Sequence, residues 1–227
     1  MFCRGSKVLV AGVDEAGRGC VIGPLVVAGI LIKEESLPVL KRLGVKDSKL
    51  LSPEKRETLA TEIRRLVEKH VIIKLSPMEI DRAVASGRKL HKLNRLEADT
   101  MAQVIDALNP DEAYVDAADV VEDRFKHHIQ ERLTSKARIT SKHKADKIYP
   151  VVSAASILAK VERDREIALL SAQFGDFGSG YLHDPKTTAF LKNWLKTHGE
   201  YPECVRKSYK PARKMKDEAG TVQRTLG

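Results

Sequence analysis

Cysteine is scarce in this sequence, and what there is stands far apart. Cys3, Cys20 and Cys204 are an odd number with no C-x-x-C pair. That argues against a disulfide framework and a zinc site, and a reducing, cytoplasmic compartment is the expectation. Long apolar runs are missing too: nothing approaches the roughly 18 uncharged apolar residues that span a bilayer. The first apolar strand runs straight into Asp14 and Glu15, so neither a membrane span nor a secretory leader is expected. Amides are few, with four Gln and three Asn against 31% charged residues, a bias towards ions that accompanies heat adaptation.

What is abundant is positive charge. Lys and Arg number 40 against 31 Asp and Glu, for a net charge of +9 and a pI near 9.4, which points to a polyanionic partner, nucleic acid first. The 227 residues suit one large domain, or one domain with a small appendage. There is no internal repeat and no low-complexity tract. Residues 7–13 and 22–32, dense in Val, Ile and Leu, predict two central strands joined by a Gly-rich turn. Ser52 and Pro53 open a helix to about Lys69, and "HVIIKLS" is a further strand. Helical spacing covers about 77–86 and 90–108. The strand "EAYVDA" follows and ends at Asp116; a helix around 121–134 and the strand "ARITS" come next. Pro150 introduces a long helix, about 151–173, expected to bury Ala154, Ile157, Leu158, Val161 and Ala168. A basic helical segment runs from about 186 to the end. Strands first, then strands alternating with helices, indicate an α/β fold: a mixed sheet flanked by helices, with a small helical C-terminal appendage.

Acidic residues at the mouth of a core strand are out of place in so basic a chain. Neighbours on a regular strand point to opposite faces, so Asp14 and Glu15 can share a site only if the strand ends or distorts between them. Gly12, Gly17 and Gly19 offer that freedom. Asp116 closes an apolar strand, where a carboxylate commonly lines a crevice. Asp146 sits five residues before the long helix, among Lys142, Lys144 and Lys147. Any one of these acids alone reads as a turn or surface residue. Four together, without His or Cys, form the donor set that Mg2+ or Mn2+ takes. Two such ions can clamp the attacking water and the leaving oxygen of a phosphodiester.

The motifs "DEAGRG", "GVKDSKLLS", "YVDAAD", "KADKIYPVVSAASILAKVERD" and "GSGYLHDPKT" occur in order over about residues 8–190. Together they resemble type 2 ribonuclease H, ribonuclease HII, and the archaeal members most. The resemblance implies a ribonuclease H-like catalytic domain over 1–173 and a basic helical C-terminal subdomain and tail over 174–227. It implies that Asp14, Glu15, Asp116 and Asp146 bind metal and carry catalysis. The substrates it implies are RNA/DNA hybrids and duplex DNA containing ribonucleotides, nicked 5′ to the ribonucleotide to leave 3′-hydroxyl and 5′-phosphate ends. By motif position Gly17, Arg18 and Gly19 read the ribose 2′-hydroxyl, the group that tells RNA from DNA. The resemblance likewise implies that Tyr181 stacks on the deoxyribose at the junction and that Lys49 and Lys160 contact phosphate. The chain departs from the family pattern at Cys20, where Pro is expected, at Leu182-His183, and at Tyr209, where Trp is common.

Fainter signals complete the reading. Lys144 and its basic neighbours in "SKARITSKHKADK" sit beside a proposed ligand and suit phosphate contact. His143 is a weaker candidate for a proton shuttle. His127 and His128 read as surface residues, and Phe190 and Trp194 as packing of the C-terminal segment. Gln223 and Leu226 match the Q-x-x-L opening of a sliding-clamp peptide, whose aromatic pair would fall beyond Gly227; an ordinary frayed terminus is the other reading. A monomer is expected. Two rivals stand beside the ribonuclease: a DNA-specific nuclease of the same fold, and a non-enzymatic nucleic-acid-binding module.

Overall fold

The structure, a computed structural model, describes residues 8–45, 52–86 and 92–225, and for 220–225 the backbone course alone. The chain divides into two compact units. One is drawn from residues up to 16, 26–73 and 94–161; the other from 17–25, 74–93 and 162 onward.

The first unit is built on a five-stranded sheet of order β3-β2-β1-β4-β5. Its strands are β1 (Leu9–Ala16), β2 (Leu25–Lys33), β3 (Lys69–Leu75), β4 (Glu112–Asp116) and β5 (Arg138–Lys142). β1 pairs antiparallel with β2 and parallel with β4, and β4 pairs parallel with β5, so the sheet is mixed as expected. Both faces are covered, which is why β1 and β2 read as almost unbroken apolar runs. On one face Val10, Val26, Ala28, Ile30 and Ile32 pack against α1 (Leu37–Arg42), α2 (Pro53–Leu66) and the first half of α7 (Pro150–Phe174). On the other, Ala11, Val13, Val27, Leu31, Ala113 and Val115 meet α4 (Lys92–Leu108) and α5 (Glu122–Gln130). α2 starts where expected because Ser52 accepts a hydrogen bond from the Lys55 N–H, with Pro53 at the first helical position. A single turn of helix, α6 (Ala145–Ile148), was not foreseen.

The second unit has its own core. Val21, Ile22, Ile167, Phe177, Leu191, Leu195, Tyr201, Cys204, Val205 and Ala212 are buried together. They draw on α8 (Pro185–His198), α9 (Lys210–Thr225) and the far half of α7, while α3 (Pro77–Ala85) also belongs to this unit. Phe190 and Trp194 pack here, with ring centroids 5.4 Å apart.

Three expectations give way to the structure. β1 does not stop at residue 13 but continues in register to Ala16, where Asp14, Glu15 and Ala16 face Ala28, Val27 and Val26. On α7, Ala168 is exposed and Ile167 is buried instead. The face that α7 buries shifts as the helix passes Val161 and enters the second unit, where Arg163 and Ile167, four apart, turn inward. His128 is buried rather than on the surface. Burial, then the Arg95 charge, hold its imidazole below the ordinary range.

Candidate active site

Gly12 sets the site up by what it lacks. A Cβ there would stand 2.3 Å from the Val151 carbonyl carbon and oxygen, so only glycine lets the start of α7 lie directly on β1. Two residues on, Asp14 points to the same face and meets α7 one turn further along, where the Ser156 hydroxyl donates to its carboxylate. Oδ1 of Asp14 also accepts the Glu15 N–H at 2.8 Å. The side chain is nearly closed off, with 5% of its residue surface exposed.

β4 runs parallel beside β1, with Val13 opposite Val115. One step further brings Asp14 level with Asp116 on the same face. Asp116 Oδ1 accepts the Ala145 N–H at 2.8 Å, which ties the end of β4 to the start of α6. Asp146 is the second residue of α6 and is buried, 6% exposed. The turn into α6 is made by Lys144 in the left-handed region, φ 56°. The buried Ser153 hydroxyl donates to the Asp146 carbonyl, pinning α6 to α7.

The electrostatics follow from this packing. Burial, then repulsion from Asp116, push the Asp14 carboxyl up to about 7 against the opposing pulls of the Ser156 hydroxyl and the Glu15 N–H, with a smaller push from Asp146. Among the described residues no three His, Cys, Asp or Glu side chains already stand as a cage for an ion. The donor set fits a divalent cation nonetheless. It consists of carboxylate oxygens alone, the kind hard ions take, and at least one of them is costly to ionise until a positive charge arrives.

The structure thus brings Asp14, Asp116 and Asp146 together. Glu15 differs: β1 is regular around it, so its Cβ starts on the opposite face, opposite Val27. The distortion expected between the two acids is absent, and the turn begins only at Gly17, φ 84°. Gly12 and Gly19 do not use left-handed angles. Lys49 lies outside the described residues. Lys144 is exposed and Lys160 half-buried on α7. Of the neighbouring cations, Lys142 is held by Glu122 at 2.9 Å and Arg138 by Glu112. His143 turns its ring to the Val120 carbonyl, 3.2 Å away.

Gly17, Arg18, Gly19 and Tyr181 all lie in the second unit, arranged around two arginines, Arg163 and Arg206, that were not among the expected site residues. Arg206 is fully buried and donates to the carbonyls of Gly17 (2.7 Å), Arg18 (2.9 Å) and Gly23 (3.0 Å). It also reaches the Tyr209 hydroxyl at 2.7 Å. The carbonyl side of the turn is therefore occupied. Arg163, 5% exposed, lies 4.9 Å from the Tyr181 ring centroid and donates to the Ser179 carbonyl and the Cys20 sulfur. Ser156 did leave a trace in the sequence, as a polar residue in the apolar first half of α7, whereas Arg163 is hidden in the charged run from Glu162 to Glu166. Arg206 left none.

The Ribonuclease HII family pattern matches residues 11–212. Ribonuclease HII of Thermococcus kodakarensis is 47% identical over 211 residues, covering 92% of this chain and 90% of that protein. The chain belongs to the ribonuclease HII family. It is an enzyme with the ribonuclease H activity on RNA paired to DNA that defines this family, which removes the non-enzymatic binding module. Solved structures agree. The ribonuclease H2 from Pyrococcus horikoshii OT3 matches with a TM-score of 0.86 at 42% identity, over 93% of this chain and 99% of that one. The structure of the PCNA:RNase HII complex from Archaeoglobus fulgidus matches with a TM-score of 0.82 at 46% identity, over 89% of this chain and 96% of that one.

Proposed function

We propose that this ribonuclease HII hydrolyses the RNA strand of RNA/DNA hybrids and nicks duplex DNA 5′ to embedded ribonucleotides, leaving 3′-hydroxyl and 5′-phosphate ends. The observation that carries the reading is the buried Asp14, raised by Asp116 and Asp146 on one face of the sheet. Bare carboxylates repel a phosphodiester, so such a group serves phosphate chemistry only when loaded with cations. Asp14, Glu15, Asp116 and Asp146 would hold Mg2+ or Mn2+. Glu15 would reach the others with its longer side chain, at the edge of β1 beyond the last β4 pair. Two bound ions would supply Lewis-acid activation of water and charge stabilisation at the leaving oxygen. Ser156 and the Ala145 N–H orient Asp14 and Asp116. Lys144 and Lys160 would hold flanking phosphates, with Lys49 in the same role. Gly17, Arg18 and Gly19 would meet the 2′-hydroxyl and Tyr181 the adjoining deoxyribose.

The enzyme would act as a cytoplasmic monomer. Among the described residues no helix is long and apolar enough to cross a membrane. The test offers three duplexes: one embedded ribonucleotide, an RNA/DNA hybrid, and DNA alone, each with Mg2+, Mn2+ or chelator. Metal-dependent cleavage of the first two supports the reading. Cleavage of the all-DNA duplex would instead support the DNA-specific nuclease.

The solved complex of a relative with PCNA favours a second reading, for the tail. Gln223, within α9, and Leu226, outside the described residues, would open a clamp-binding segment. Binding of the chain to a sliding clamp, measured by calorimetry with and without Gln223→Ala, tests it; equal affinities reject the idea.

A further inference from the structure

Cys20 is the residue for which the sequence offered no role. It is fully buried beneath the Gly-rich turn, and its sulfur accepts two hydrogen bonds. One comes from Arg163 Nη2 at 2.8 Å and the other from the Tyr181 hydroxyl. Arg163 also lies against the Tyr181 ring, and His183 stacks on that ring at 5.3 Å and 26°. A tyrosine on a Gly-rich loop would ordinarily sample several rotamers. This one is held at its hydroxyl by Cys20, across its ring by Arg163, and by a stacked imidazole. Burial, then Cys20, push the phenol up to about 12, so its proton stays in place and the hydroxyl remains a donor.

We propose that Cys20, together with Arg163, is a positioning residue that fixes the Tyr181 ring and thereby sets the preference for ribonucleotide–deoxyribonucleotide junctions. This rests on the reading above, in which Tyr181 meets the sugar at the junction. Proline, the residue expected here from the resemblance, has no side-chain acceptor and no N–H. It would also forfeit the Cys20 N–H bond to the Gly17 carbonyl, 3.2 Å.

The experiment compares kcat and KM on the single-ribonucleotide duplex and on the hybrid for wild type, Cys20→Ala, Cys20→Ser, Tyr181→Phe and the Cys20→Ala/Tyr181→Phe double variant. Losing the shared hydrogen bond should raise KM on the single-ribonucleotide duplex about tenfold in either single variant, with kcat within about twofold. The double variant should be no worse than either single one, and Cys20→Ser, which keeps an acceptor, should recover to within about threefold of wild type. A purely structural role would lower kcat on both substrates together and make the two losses add, which overturns the proposal. An unchanged substrate ratio in Tyr181→Phe overturns it as well, even if Cys20→Ala does not fold. Failure of the wild type to nick the single-ribonucleotide duplex would instead remove the functional reading, and this inference with it.

Discussion

Asp14→Asn in metal-free protein isolates the repulsion that defines the carboxylate group. The wild-type carboxyl titrates at about 7 in the folded chain against a reference of 3.8. Between those values the folded protein keeps a proton that the unfolded chain has released. Stability is therefore lost as pH rises through 7. At about 1.4 kcal/mol per pKa unit, the full cost above pH 7 approaches about 4 kcal/mol, of which about 2–3 kcal/mol falls between pH 5 and pH 8. Asparagine has the shape without the charge. Urea unfolding in chelator at pH 5 and pH 8 should then show Asp14→Asn gaining on wild type by about 2–3 kcal/mol across that interval. Taking the difference cancels the titrating groups that do not interact with Asp14, the buried His128 included, and leaves the coupled set of Asp14, Asp116 and Asp146. Added Mg2+ should stabilise wild type more at pH 8 than at pH 5, because the ion binds the ionised carboxylates, and should do much less for the variant. A wild-type/variant difference that stays constant with pH would refute the reasoning, for Asp14 would then not be buried against Asp116 and Asp146.

Three further outcomes are expected. Asp116→Asn should abolish cleavage while leaving duplex binding within about threefold, measured by fluorescence anisotropy; loss of the folded state would make Asp116 structural. Gly12→Ala would drive a Cβ into the Val151 backbone and should cost about 2–4 kcal/mol in urea unfolding, since backbone cannot step aside as a side chain can; a cost under about 1 kcal/mol would show α7 free to shift. Arg206→Met leaves three carbonyls without their buried donor and should destabilise by about 3–5 kcal/mol, with thermal unfolding as the check; a neutral result would mean water replaces the guanidinium.

How much was legible in the sequence tracks how local the cause was. Ser52-Pro53 caps its own helix, and apolar density marks β1 and β2, so these elements could be read without knowing what they touch. The three aspartates could be picked out because each ends or follows a recognisable element, and the topology then does the rest. Parallel pairing of β1 with β4 makes Asp14 and Asp116 neighbours, although 102 residues separate them in the chain. What escaped depends on contacts that no local pattern encodes. Gly12 read as a flexible residue but serves as a gap, filled by a backbone 139 residues away. Glu15 was expected at a break in the strand, yet pairing with β2 keeps β1 regular through Ala16, because both faces there are already committed to packing. Arg206 looked like one more solvated cation in a basic segment, and in such a chain nothing distinguishes the arginine whose charge is spent on carbonyls. Cys20 shows the same limit from the other side. Its oddity was visible, but its meaning required Arg163 and Tyr181, 143 and 161 positions further on. A departure from a family pattern at a buried position is thus best explained by first asking which long-range donors have turned towards it.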